Sequence, residues 1–157
     1  MKKQVLIFSA ILAFMTGIAS AQSLPTALSQ AELDEMNARY SALLARVKAM
    51  GDLKIPELKV LASDIQKEIP QWERLLAAIA PADTQSVANE IRHATKEIDA
   101  KHDKIAEEIH LALKNNTPFS EYTLNQRNAM GWAVQDNIND LKNAAESVQK
   151  AIPPNAR

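Results

Sequence analysis

The chain has 157 residues with 18 Lys and Arg against 19 Asp and Glu. It has no cysteine, which excludes disulfide frameworks, thiolate nucleophiles, zinc–thiolate centres and covalent c-type haem attachment. Charges of both signs are mixed along the chain with no block of one sign, so there is neither a nucleic-acid footprint nor a polybasic membrane patch. Only three glycines and 4% aromatics, beside abundant Ala, Leu, Ile, Lys and Glu, point to an all-α protein.

Lys2 and Lys3, the apolar run Val5 to Ile18 and the small residues Ala19-Ser20-Ala21 predict a signal peptide over residues 1–21. The run is shorter than the roughly 20 residues of a spanning helix, and Ser9, Thr16 and Gly17 soften it. The expectation is an exported chain, periplasmic or secreted, with no stable membrane anchor after cleavage. Loss of Lys2 and Lys3 takes the formal charge from -1 to -3. Residues 22–157 are of a size for one domain that folds unaided.

Pro25 blocks an early helix, so Gln22 to Leu28 is expected to be loosely held. Ser29 and Glu32 stand at capping-box spacing. Behind them Leu33, Met36, Tyr40, Leu43, Val47 and Met50 form a seam with steps of three and four residues. Gly51 is the expected left-handed cap, which bounds a first helix over Ser29 to Met50. Pro56 suits the first turn of a second helix, whose stripe is Leu58, Leu61, Ile65, Ile69, Trp72, Leu76 and Ile79. Pro70 removes a hydrogen bond within it, so the helix is expected to be kinked or split there, with the in-phase stripe favouring a kink.

Pro81 and Asp83 predict a tight link into a third helix over Asp83 to Asn116, antiparallel to the second. Its seam runs Val87, Ile91, Ala94, Ile98 and then shifts through His102, Ile105, Ile109 and Ala112 or Leu113. That shift is a stutter. Thr117 or Ser120 is the expected cap of a fourth helix, with Val134, Ile138, Leu141, Ala145, Val148 and Ile152 as its stripe and Pro153-Pro154 as its stop. Four striped helices with short links predict an antiparallel, up-down-up-down four-helix bundle. A helical hairpin completed by a second copy, a homodimer, is the alternative.

Two constellations stand out. All three histidines follow an acidic residue by three positions: Glu90 and His93, Asp99 and His102, Glu107 and His110. Glu-x-x-His is the ligand spacing of di-iron bundles, but those draw it from two helices. His93 and His102 are about 180° apart around one helix and roughly 13 Å apart along it, so no shared metal is expected. Haem would need an axial His with a second ligand such as Met36, Met50 or Met130; Met at seam spacing reads as core filling, and no cofactor is expected. The three pairs read most simply as solvated acid–histidine neighbours. With His102 at the stutter, they are also the place for a pH response. Burial would depress the His102 pKa, so its contribution to stability holds at neutral pH and is lost as pH falls.

The second constellation is Phe119, Tyr122, Arg127 and Trp132, aromatic and Arg residues around the polar interruption Asn125 to Asn128. This composition resembles an interface hot spot, and it is the expected binding surface for a partner protein. The competing reading has Phe119 and Tyr122 stapling the helix start to the end of the bundle. No nucleophile elbow or phosphate-cradling loop is present, so no enzyme is expected. The expectation is an accessory, chaperone-like or inhibitor-type protein, with a small-ligand or metal carrier built on the acid–histidine row as the alternative.

Overall fold

The computed structural model describes residues 23–79 and 99–156, with side chains described from residue 104 in the second stretch. Four helices lie in these residues: α1, Gln30–Lys48; α2, Ile55–Ile79; α3, Asp99–Lys114; and α4, Leu124–Ala151. Short 3-10 turns at Met50–Asp52, Phe119–Glu121 and Pro154–Ala156 complete the regular structure. The protein is all-helical in these residues. The signal segment, the Pro81 link and the seam from Val87 to Ile98 lie outside the described residues.

Local chemistry accounts for each helix end. The Glu32 amide donates to Ser29 Oγ at 3.3 Å while the Ser29 amide donates to Glu32 Oε2 at 2.8 Å, the reciprocal box that satisfies two orphan amides. The backbone bond from Ser29 holds the Glu32 carboxyl below its ordinary range. The end of α1 differs from the left-handed glycine cap expected at Gly51. Ala49 is the C-cap, and Gly51 sits in the 3-10 turn with no positive φ. The Asp52 amide bonds to the Ala49 carbonyl and the Leu53 amide to the Met50 carbonyl, so tight turns serve the carbonyls that a glycine cap would otherwise serve.

α2 runs unbroken through Pro70, so the split alternative does not hold. Its buried face carries Leu58, Leu61, Ile65, Ile69, Trp72, Leu75 and Ile79; Leu75 takes the place expected for Leu76. α3 ends at a left-handed Asn116, φ 52°. The Thr117 amide reaches the Ala112 carbonyl and the Asn116 amide reaches that of Leu113, the paired bonds of a Schellman motif. α4 is capped by neither Thr117 nor Ser120 but by Thr123, whose hydroxyl accepts from the Gln126 amide while Gln126 Oε1 accepts from the Thr123 amide. The T-x-x-Q spacing of Thr123 and Gln126 is the sequence signal for this second capping box.

α2 and α4 share the most extensive helix pairing among the described residues. Between them Leu61, Ile65, Trp72, Ile79, Ile138, Leu141 and Val148 lose essentially all contact with water. α1 contributes only Leu43 as a fully buried residue, and Leu33, Met36, Tyr40 and Val47 are half-buried along its edge. Two ion pairs join α1 to α2: Arg39 to Glu68 at 3.1 Å and Arg46 to Asp64 at 2.8 Å. Glu68 is the one buried charged residue described, 7% exposed, and the Arg39 guanidinium compensates it.

The segment before α1 is not loosely held. The Phe119 amide donates to the Thr26 carbonyl at 2.8 Å, Ala27 pairs with Pro118, Arg74 Nη2 donates to the Ser23 carbonyl at 3.1 Å, and Leu28 is buried. These bonds also bear on helix order. Strict up-down-up-down alternation requires the first and last helices to run in opposite directions. Here Thr26 meets Phe119 just before both helices, and further along Tyr40 Oη meets Asp140 Oδ2 at 2.7 Å. The residue numbers rise together, so the alternation does not extend to α1 and α4. The cause is the backbone tie, which starts both helices from one end.

Because the chain is free of cysteine, thiol labels can be placed at will. Spin labels at exposed positions 34 and 133 are expected to lie much closer together than labels at 34 and 150. Positions 133 and 150 are about 25 Å apart along α4, so electron–electron resonance resolves the two cases, and the reverse ranking would contradict the tie. Ile65→Ala is expected to cost about 2–5 kcal/mol, and Val60→Ala, at an exposed position of the same helix, about 0.5 kcal/mol or less by urea unfolding.

Candidate functional site

The tie that aligns α1 with α4 leaves a furrow between them, and α3 only partly fills it. An open cavity of about 400 Å³ lies here. Trp72, 1% exposed, is its contribution from α2. Its walls are Leu33 of α1, Ile105, Ile109 and Leu113 of α3, and Met130 and Val134 of α4. The space exists because small residues stand where large ones would close it. Ala129 and Ala133 are one helical turn apart on α4, and Ala106 lies on α3. Volume and lining fit a small-molecule site, in which apolar walls provide affinity and a few polar groups set orientation.

The polar groups are Gln30 and Asn37 from α1, His110 from α3 and Asn137 from α4. His110 Nδ1 lies 3.0 Å from Gln30 Oε1, and Gln30 Nε2 donates to Asp34 Oδ1 at 2.8 Å. This strap joins α3 to α1. On the other side Gln126 Nε2 donates to Glu108 Oε2 at 3.2 Å, joining α3 to α4. Asn37 and Asn137 make no side-chain hydrogen bond to any described residue. No Lys, Arg, Asp or Glu lies among the described lining residues.

A second cavity, about 480 Å³, opens beside the segment before α1. Several of its charged groups already serve one another: Arg39 holds Glu35 and Glu68, and Glu32 is committed to Ser29. The first cavity has the free amides and the continuous apolar wall.

The aromatic cluster expected as a partner surface is placed differently. Phe119 and Tyr122 are 3% and 5% exposed and pack edge to face with centroids 5.5 Å apart. They staple the start of α4 to the segment before α1, so neither side chain offers a contact surface. Burial pushes the Tyr122 phenol up. Trp132 and Arg127 are half-buried, and Arg127 Nε finds no hydrogen-bond partner among the described residues. The physical reason is the tie at Thr26, which draws the 3-10 turn inward.

Of the acid–histidine row, His110 is exposed at the cavity rim and takes Gln30 as its hydrogen-bond partner. His93 and the side chains of Asp99 and His102 lie outside the described residues, and with them the pH-response expectation at the stutter. Among the described residues no cluster of three or more His, Asp or Glu is placed to hold a metal ion. No helix among them is long and apolar enough to cross a membrane.

The class defined by these features is an all-helical protein with a side-opening apolar cavity. No family model matches the chain, and neither a curated protein nor a solved structure matches it.

Beside the cavity, Tyr40 packs edge-on to Trp72 at 5.9 Å and donates its hydroxyl to Asp140. Burial first, and then Asp140, push the Tyr40 phenol up to about 12 from its ordinary 10.0. A raised folded pKa means that the contribution to stability is complete below pH 10 and is lost as pH rises through about 12. Tyr40→Phe is expected to cost about 1 kcal/mol at neutral pH. It should also flatten the fall in stability across that alkaline window, as read by urea unfolding at successive pH values.

Proposed function

We propose that this chain is an exported, non-enzymatic helical-bundle protein that binds a small apolar ligand in the cavity walled by α1, α3 and α4. The supporting observation is the cavity itself: apolar on its walls, roomy through Ala129 and Ala133, and bordered by unpaired amides. The N-terminal apolar run and Ala-Ser-Ala supply the reason for export. The bundle has α1 and α4 running one way and α2 and α3 the other, with α2 kinked at Pro70. In support, Arg39 and Arg46 meet Glu68 and Asp64 in reversed order, and Glu108 of α3 meets Gln126 across a short connection.

Contact with a partner protein is the second reading, and after the burial of Phe119 and Tyr122 it rests on Arg127 and the half-exposed Trp132. The cavity reading has more behind it, because a concave apolar wall can desolvate much of a small molecule.

Titration of the chain over residues 22–157 with the neutral fluorophore N-phenylnaphthylamine tests this. Saturable one-to-one binding is expected, with a change in tryptophan emission from Trp72. Ala133→Phe, at an exposed position on the cavity edge, is expected to weaken binding by about tenfold or more without lowering helicity. Absence of saturable binding, or binding indifferent to Ala133→Phe, would overturn the assignment.

A further inference from the structure

We infer that the ligand is uncharged and elongated, an aliphatic or similarly apolar molecule with one neutral hydrogen-bonding head such as a hydroxyl or amide. This rests on the cavity assignment above and adds the chemistry of the head group.

The first step is charge. A carboxylate or phosphate head would need a cation beside it, since an ion taken out of water without a partner is strongly disfavoured. No cation is among the described lining residues. The ionisable groups next to the rim are Asp34 beside Gln30, Glu108 with Lys104 against it on α3, and Asp140 on α4, three acids to one base. An anion would meet repulsion there.

The same carboxylates do not make a cation site. Each already accepts from a neutral donor: Asp34 from Gln30, Glu108 from Gln126 and Asp140 from Tyr40. None of the three lines the cavity. A cationic head seated in the cavity therefore has no carboxylate in the lining to pair with.

The free groups are two amides and the buried, unpartnered indole N–H of Trp72, a further neutral donor. Asn37 and Asn137 bring donors and acceptors from opposite helices, the pairing that suits a hydroxyl, ester or amide. Gln30 and His110 occupy each other. Gln30 and Asn37 are seven residues apart on α1, about 10 Å along the axis. The cavity therefore has an occupied strap at one station and free amides at another. The head belongs with Asn37 and Asn137, and the tail with Ile109, Leu113 and Met130.

Competition against bound N-phenylnaphthylamine separates the cases. Decanol and decanamide are expected to displace it, while decanoate at pH 8 and decyltrimethylammonium should be weaker by about tenfold or more. Asn137→Lys should move decanoate toward decanol by about tenfold, each displacement being referred to the fluorophore's own affinity for that variant. Decanoate or the ammonium compound matching decanol in the wild type would overturn the neutral-head inference while leaving the cavity assignment intact. Failure of the fluorophore itself to bind would instead remove the cavity assignment. Asn37→Leu supplies an independent check: it should weaken displacement by decanol and decanamide by about tenfold without bringing decanoate level with them, and unchanged displacement by both would remove the amides from the inference.

Discussion

The hydrogen bond from the Phe119 amide to the Thr26 carbonyl, with the Ala27–Pro118 bridge beside it, fastens two segments far apart in sequence just before each enters a helix. Its effect is geometric. With their starts pinned together, α1 and α4 proceed side by side as far as the contact of Tyr40 with Asp140. α2 then takes the inner position, which is why its face is buried at seven stripe positions while α1 buries only Leu43. The edge-to-face pair of Phe119 and Tyr122 anchors one side of the pin in the core while Thr26 and Pro118 remain exposed, so the packing of the rings adds to a hydrogen bond whose own net worth is modest.

Polar chemistry in this fold follows one rule, that charges are used between helices and amides near the cavity. Arg39–Glu68, Arg46–Asp64 and Lys142–Glu73 each join two helices. Only the first involves a well-buried partner, and it is the one in which loss of the cation would strand a carboxylate. Pairs within single helices, such as Lys150–Glu146, are exposed and contribute little to the fold. Around the cavity Asp34 and Asp140 accept from neutral donors and Glu108 serves both Gln126 and Lys104, while the polar residues of the lining itself are amides and an imidazole.

Much of the helical architecture was legible because it depends on spacing. The α2 and α4 stripes are carried by residues at steps of three and four, and Leu61, Ile65, Trp72, Ile138, Leu141 and Val148 are buried as their periodicity implies. The Ser29 box was legible for the same reason, as its partners are three residues apart. Helix direction was not, because the Thr26–Phe119 bond is made by backbone atoms and side-chain patterns do not record such pairings. The aromatic cluster was misread through the same gap: Phe119 and Tyr122 look like exposed anchors until the turn that carries them is tied inward. The cavity lay hidden in its alanines. Ala129 and Ala133 occupy one face of α4 beside its irregular opening, and small side chains in a stripe signal close packing or space equally well until the neighbouring helix is in place.

Gln126 gives the cavity a mechanical property. Its carbonyl oxygen closes the box that begins α4, and its amide nitrogen holds Glu108 of α3. One side chain therefore spans two elements, and neither bond is made at full strength unless the other has placed the amide. The opening turn of α4 and the later turns of α3 are thereby joined through one side chain. The cap of α4 thus also sets how firmly α3, one wall of the cavity, is held against the start of α4.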